Sequence, residues 1–234
     1  MTKEASDIGE LPVTIEDVAR MEPQLHAWSE MAARAYGFYS GINEAIKKSA
    51  DKWPAAAHHA SDYRQEMALM AIIRLFATMD RGSRISFQSV YRYLQTDAAI
   101  DELSNLFAAA EPPSSIEVAR GAVTASVARF FEAYRAIDFK AFGRIQSFRN
   151  GQIAHISWPE IKAAKVTYSD LETLLQSVCV LAGELKLMLT GCNDWPSDEF
   201  DDSHRQAYGF WLKAIEAEAS RPTRRTLDRS PKSQ

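Results

Sequence analysis

The sequence predicts an all-α protein, and three observations carry that prediction. Glycine is scarce, with 10 among 234 residues, and alanine is abundant, which favours helices over a turn-rich β architecture. Several stretches repeat apolar residues with the helical period of about 3.6. Two of them follow Ser-x-x-Glu, the signature of a capped helix start. The architecture expected is an antiparallel helical bundle with extra peripheral helices.

The first elements follow from caps and stripes. Residues 1–13 read as a mobile lead-in, and Thr14 with Asp17 three residues on caps a short first helix. Pro23 suits the start of a second, longer helix to about Lys52, striped by Leu25, Trp28, Met31, Ala35, Phe38, Tyr39 and Ile42. Trp53-Pro54 and His58-His59 read as a connection, and two adjacent histidines point to different sides and chelate poorly. Ser61 or Asp62 caps the next helix, apolar nearly all round from Met67 to Phe76, which makes it the expected most buried one. Arg74 within it needs a partner, either in a structural ion pair or beside an active site.

The later elements are as well marked. Ser86 starts a short helix through Leu94, and another covers Ala98 to Ala109. Pro112-Pro113 stops the chain, and Ser114-x-x-Glu117 opens a long helix with the stripe Ile116, Ala119, Val123, Val127, Phe130, Tyr134 and Ile137. That helix continues or kinks near Asp138–Lys140, leading to a segment that ends at Trp158-Pro159. Ser169-x-x-Glu172 opens the next, striped by Leu171, Leu174, Leu175, Val178, Leu181 and Leu185 and closed by Thr190-Gly191. His204 to Ala219 forms a peripheral helix, and residues 221–234 read as a basic, disordered tail, a solvated end or an RNA-binding arm. The expected core helices span 62–79, 115–138, 141–157 and 170–190. As domains, 1–60 is a helical segment packing on a bundle of 61–192, and 193–220 is peripheral.

The totals exclude several function classes. A formal net charge of −4 argues against an overall electrostatic nucleic-acid binder, so any phosphate contact must be local. Cys179 and Cys192 are too few for a disulfide framework and lack metal-ligand spacing, and Cys179 reads as a small core residue. There is no glycine-rich phosphate loop and no zinc pattern, so neither cofactor nor metal is expected. No apolar signal core follows the N-terminus, and no run is expected to reach the roughly 18 apolar residues of a membrane span. A reducing cytoplasm is the expected compartment.

One stretch concentrates the potential chemistry. Ser147-Phe148-Arg149-Asn150-Gly151-Gln152-Ile153-Ala154-His155-Ile156 sets a permanent cation, two amides and a neutral-pH base close together. At about 100° per residue, Arg149, Gln152 and His155 form a slanting stripe roughly 120° wide. That is too wide for a tight pair, so a bend at Gly151, the reach of Arg149, or a second copy of the stripe from another subunit must bring the groups together. Arg149-Asn150-x4-His155 resembles the Arg-x(4–6)-His signature of the HEPN superfamily of helical-bundle domains. With Tyr168-Ser169-Asp170-Leu171-Glu172-Thr173-Leu174-Leu175 downstream, it is similar to the abortive-infection-type branch over about residues 60–190. The resemblance implies a HEPN-type bundle acting as a metal-independent endoribonuclease, a toxin or phage-defence effector, working as a homodimer on RNA. It also implies an antitoxin or regulatory protein as a further partner. Some members carry His-x-Tyr, with a Tyr modified by a nucleotidyltransferase; here the residues are His155-Ile156-Ser157, so that mode is not expected.

The residue chemistry fits such a reaction. His155 suits proton transfer because its pKa lies near neutrality, and the planar fork of Arg149 suits phosphate oxygens. Asn150 holds the Arg, binds a phosphate oxygen or orients the His. Gln152, Arg144 and Lys140 are the expected RNA contacts, with Arg129 and Arg135 forming either a basic rim or part of a mixed solvated face. The alternative is a non-catalytic dimer of the same bundle that binds nucleotide, RNA or a partner protein.

Overall fold

The computed structural model describes residues 12–49, 55–110, 112–150 and 167–220. Among these there is no strand, and the helices are α1 (Ile15–Lys48), α2 (Ala55–Met79), α3 (Phe87–Leu94), α4 (Ala99–Ala109), α5 (Ile116–Ala136), α6 (Phe139–Phe148), α7 (Tyr168–Thr190) and α8 (Ser197–Ala219). The protein is an all-α helical bundle.

The longest helix departs most from expectation. Thr14 and Asp17 form a reciprocal capping box, but the helix they start runs unbroken through Pro23 to Lys48. Proline removes one N–H from the ladder. The continuous buried stripe of Val18, Met21, Leu25, Ala32, Tyr36 and Tyr39 on both sides of it outweighs that loss. These residues share one core with Leu75, Phe130, Ile145, Val178 and Leu185, so α1 belongs to the core together with α2, α5, α6 and α7, and the expected 141–157 helix is described only to residue 150. His58 and His59 lie in α2, which starts at Ala55, and both are exposed rather than in a loop.

Capping positions shift by a residue or two. Ser115, not Ser114, accepts from Val118 N at the start of α5. Thr167 and Asp170, not Ser169 and Glu172, form the box that opens α7. Threonine and aspartate satisfy the same orphan amides, so the spacing is right and the register differs. Gly191 ends α7 with φ 71°, the left-handed conformation glycine adopts without strain.

Helix directions follow from side-chain pairs. Tyr36 donates to the Tyr168 carbonyl at 3.3 Å near one end of α7, and His26 meets Asp194 beyond its other end, so α1 and α7 are antiparallel. α8 turns back again and therefore runs parallel to α1, with Arg34 on Glu199, Glu44 on His204 and Lys48 on Tyr208. Gly37 and Gly41 make that pairing close, since a Cβ at either would overlap the carbonyl oxygen of Phe200 or His204. A smaller core of Ile42, Ile46, Ala57, Ala60, Ala207 and Ile215 joins α1, α2 and α8.

α7 is the one described helix long and apolar enough to cross a membrane, contrary to the expectation that no run would be. Its apolar residues, Leu171, Leu174, Val178, Leu181, Leu185 and Met188, are buried in the main core. A helix surrounded by others must be apolar nearly all round, which is the same pattern a membrane span requires. Cys179 lies there too, and burial pushes its thiol up to about 12.

Candidate functional site around Arg149

α6 carries the described part of the candidate site. Asp138 caps it, accepting from Lys140 N at 2.8 Å and Ala141 N at 3.1 Å, and these bonds hold its carboxyl below the usual range. Ala141, Phe142 and Ile145 turn into the core, where Phe142 stacks on Phe76 with ring centroids 6.1 Å apart. Arg149, at the C-terminal end, sets its guanidinium 4.7 Å over the same Phe76 ring. Its Nη1 donates to Asn150 Oδ1 at 2.9 Å.

Arg149 is therefore positioned by an aromatic face and an amide, neither of which neutralises it. Among the described residues no carboxylate lies within ion-pair range of Arg149. Cation–π contact and planar stacking suit guanidinium and leave edge N–H groups for an anion. Of the three roles open to Asn150, holding the Arg is the one its hydrogen bond serves.

The expected RNA contacts divide differently. Arg144 is committed to Asp170, with Nη2 to Oδ1 at 2.7 Å and Nε to Oδ2 at 3.4 Å, a bond that ties α6 to the first turn of α7. This pair holds the Asp170 carboxyl below the usual carboxylate range. Lys140 is exposed. At about 100° per residue Lys140 lies roughly opposite Arg149 on α6, and Arg144 roughly 140° from it, so the three do not share a face. Arg129 grips the buried Glu184 of α7, and Arg135 lies 5.4 Å over the Phe131 ring. A notch of about 100 Å³ beside Arg144 is lined by Asp138 and Asp170, which disfavours anions there.

Gln152 and His155 lie outside the described residues, as do the Gly151 bend and the tail at 221–234. Arg74 is half-buried, and its Nε has no hydrogen-bond partner among the described residues, nor does any described carboxylate pair with it. A structural ion pair for Arg74 thus has no partner among them.

Sequence reasoning missed a second constellation. His26 and Glu30, one turn apart on α1, meet Asp194 from the connection between α7 and α8. The i, i+4 spacing of His26 and Glu30 was a legible signal, but Asp194 is far away in the chain. Comparison with known protein families, with curated proteins and with solved structures finds no match for this chain.

Proposed function

We propose that the protein is a metal-independent endoribonuclease of HEPN type, a toxin or defence effector, in which Arg149 and His155 act together. The observation that carries the reading is the setting of Arg149, braced by Phe76 and Asn150 without a neutralising carboxylate among the described residues. A guanidinium so held is pre-organised for the charge of a pentacoordinate phosphorane. His155 follows six residues later in the Arg-x(4–6)-His arrangement.

The chemistry needs a base and an acid. One imidazole takes the proton from a ribose 2′-hydroxyl, whose oxygen attacks the adjacent phosphorus. The 5′-oxygen leaves with a proton from a second imidazole, giving a 2′,3′-cyclic phosphate and a free 5′-hydroxyl. A single chain supplies one such histidine in the motif, so the reading includes a homodimer that brings two Arg149–His155 sets to one cleft.

The test is the product chemistry together with Arg149→Lys. Cleaved RNA is expected to end in 2′,3′-cyclic phosphate. Arg149→Lys is expected to recover little of the activity lost in Arg149→Ala, because an ammonium lacks the bidentate fork. Products ending in 3′-hydroxyl, or full activity in Arg149→Lys, would contradict the assignment.

A specific observation favours one other reading. Arg129 and Arg144 are engaged with Glu184 and Asp170, which leaves a weak basic rim on a chain of net charge −4. The alternative, a non-catalytic dimer that binds nucleotide, RNA or a partner protein, demands less of that rim in its last form, since a partner protein carries no phosphate backbone. Intact RNA after incubation with wild-type protein, with dimerisation or partner binding lost in Arg149→Ala, would support it.

A further inference from the structure

His26 is unusual within the core of α1. It is 5% exposed, and among the described residues neither ring nitrogen has a hydrogen-bond partner. A buried imidazole without an aligned hydrogen bond calls for a compensating partner, such as the carboxylates beside it, an ion or a water. Its Nε2 points between two carboxylates, 3.4 Å from Glu30 Oε1 and 3.4 Å from Asp194 Oδ2, without hydrogen-bond alignment to either. The three ligand atoms lie within 4.8 Å of one another.

We propose that His26, Glu30 and Asp194 form a binding site for a divalent transition-metal cation, Zn²⁺ foremost. Metal bonds of about 2.0–2.1 Å from imidazole and carboxylate place the ligand atoms of a tetrahedral site roughly 3.3 Å apart, the separation His26 keeps from both oxygens. One imidazole with carboxylates suits zinc, cobalt or manganese; magnesium and calcium prefer all-oxygen sets. Glu22, one turn before His26, is buried and close enough to feel the charges of His26, Lys186 and Asp194. Glu30 and Asp194 are partly exposed and open the site to solvent.

Lys186 is the built-in competitor. Its ammonium pairs with the same Asp194 Oδ2. A cation entering between His26 and Asp194 must displace that ammonium or share the carboxylate with it. Bound there, the metal would fasten the connection between α7 and α8 to α1, next to the Trp195 ring that packs on Gly183. The site shares no residue with the Arg149 site and stands independently of the ribonuclease reading.

The test is calorimetric titration of tag-free, EDTA-stripped, dialysed protein with ZnCl₂ and separately with MgCl₂. The expected result is one Zn²⁺ per chain, no measurable Mg²⁺ binding at the same concentrations, and a higher melting temperature with Zn²⁺. Asp194→Asn is expected to weaken zinc at least tenfold, as is His26→Leu. Lys186→Met is expected to tighten it, the opposite of what a purely structural ion pair gives. Because His26→Leu alters the core, the partly exposed Asp194 and Lys186 variants decide the matter if it fails to fold. A double alanine variant at the exposed His58 and His59 is expected to bind as wild type does. The proposal is overturned if zinc does not bind, or if it binds equally well to wild type, Asp194→Asn and Lys186→Met.

Discussion

At the residue scale, Phe76 is the surface on which the Arg149 guanidinium rests. The ring is buried in the core and receives Phe142 on α6 and the guanidinium of Arg149. Phe76→Leu keeps an apolar side chain in place but removes the π face. A cation–π contact of this kind is worth about 1 kcal/mol, so the proposed RNA cleavage is expected to fall about fivefold. Circular dichroism should remain helical. An unchanged rate would mean that the stacking does not position Arg149. That Arg149 sits on an aromatic ring was not legible in the sequence. Phe76 lies in another helix, and no periodicity in one helix tells which side chain of another will meet it. The choice of Arg149 and Asn150 as a pair was legible because they are neighbours.

At the element scale, the glycines of α1 set the seat of α8. Gly41→Ala drives a methyl into the His204 carbonyl and the α8 backbone, and overpacking of this kind costs about 1–3 kcal/mol. Hydrogen exchange is expected to accelerate in 197–219 well before 116–136, and equal protection of both would contradict the account. The pairing of α6 with α7 is expected to show in acid. Asp170 has a carboxyl depressed by Arg144, so its stabilisation is present above the unfolded value of about 3.9 and is lost as pH falls through the lower folded value. The melting temperature of the wild type should therefore drop more steeply between about pH 4 and pH 2 than that of Asp170→Asn. Parallel curves would show that the pair contributes nothing. Helix existence was legible from stripes and caps, since those are local. The path of α1 through Pro23 was not, because burial on both sides of the proline decides it and burial is a property of the assembled bundle.

For the whole molecule, the helical class follows from local pattern, while the parallel seating of α8 on α1 and the meeting of His26 with Asp194 come only from the closed fold. The proposed reaction joins Arg149 to His155 on one RNA phosphate. Its most direct measurement is incubation of purified protein with total RNA in EDTA, with His155→Ala alongside, at a temperature well below the metal-free melting point so that loss of a cation at His26 is not read as inhibition. The expected result is cleavage by the wild type in EDTA and a fall of about a hundred- to ten-thousand-fold in His155→Ala, the range of general acid–base contributions. Equal cleavage by the two proteins, or intact RNA with both, would contradict it.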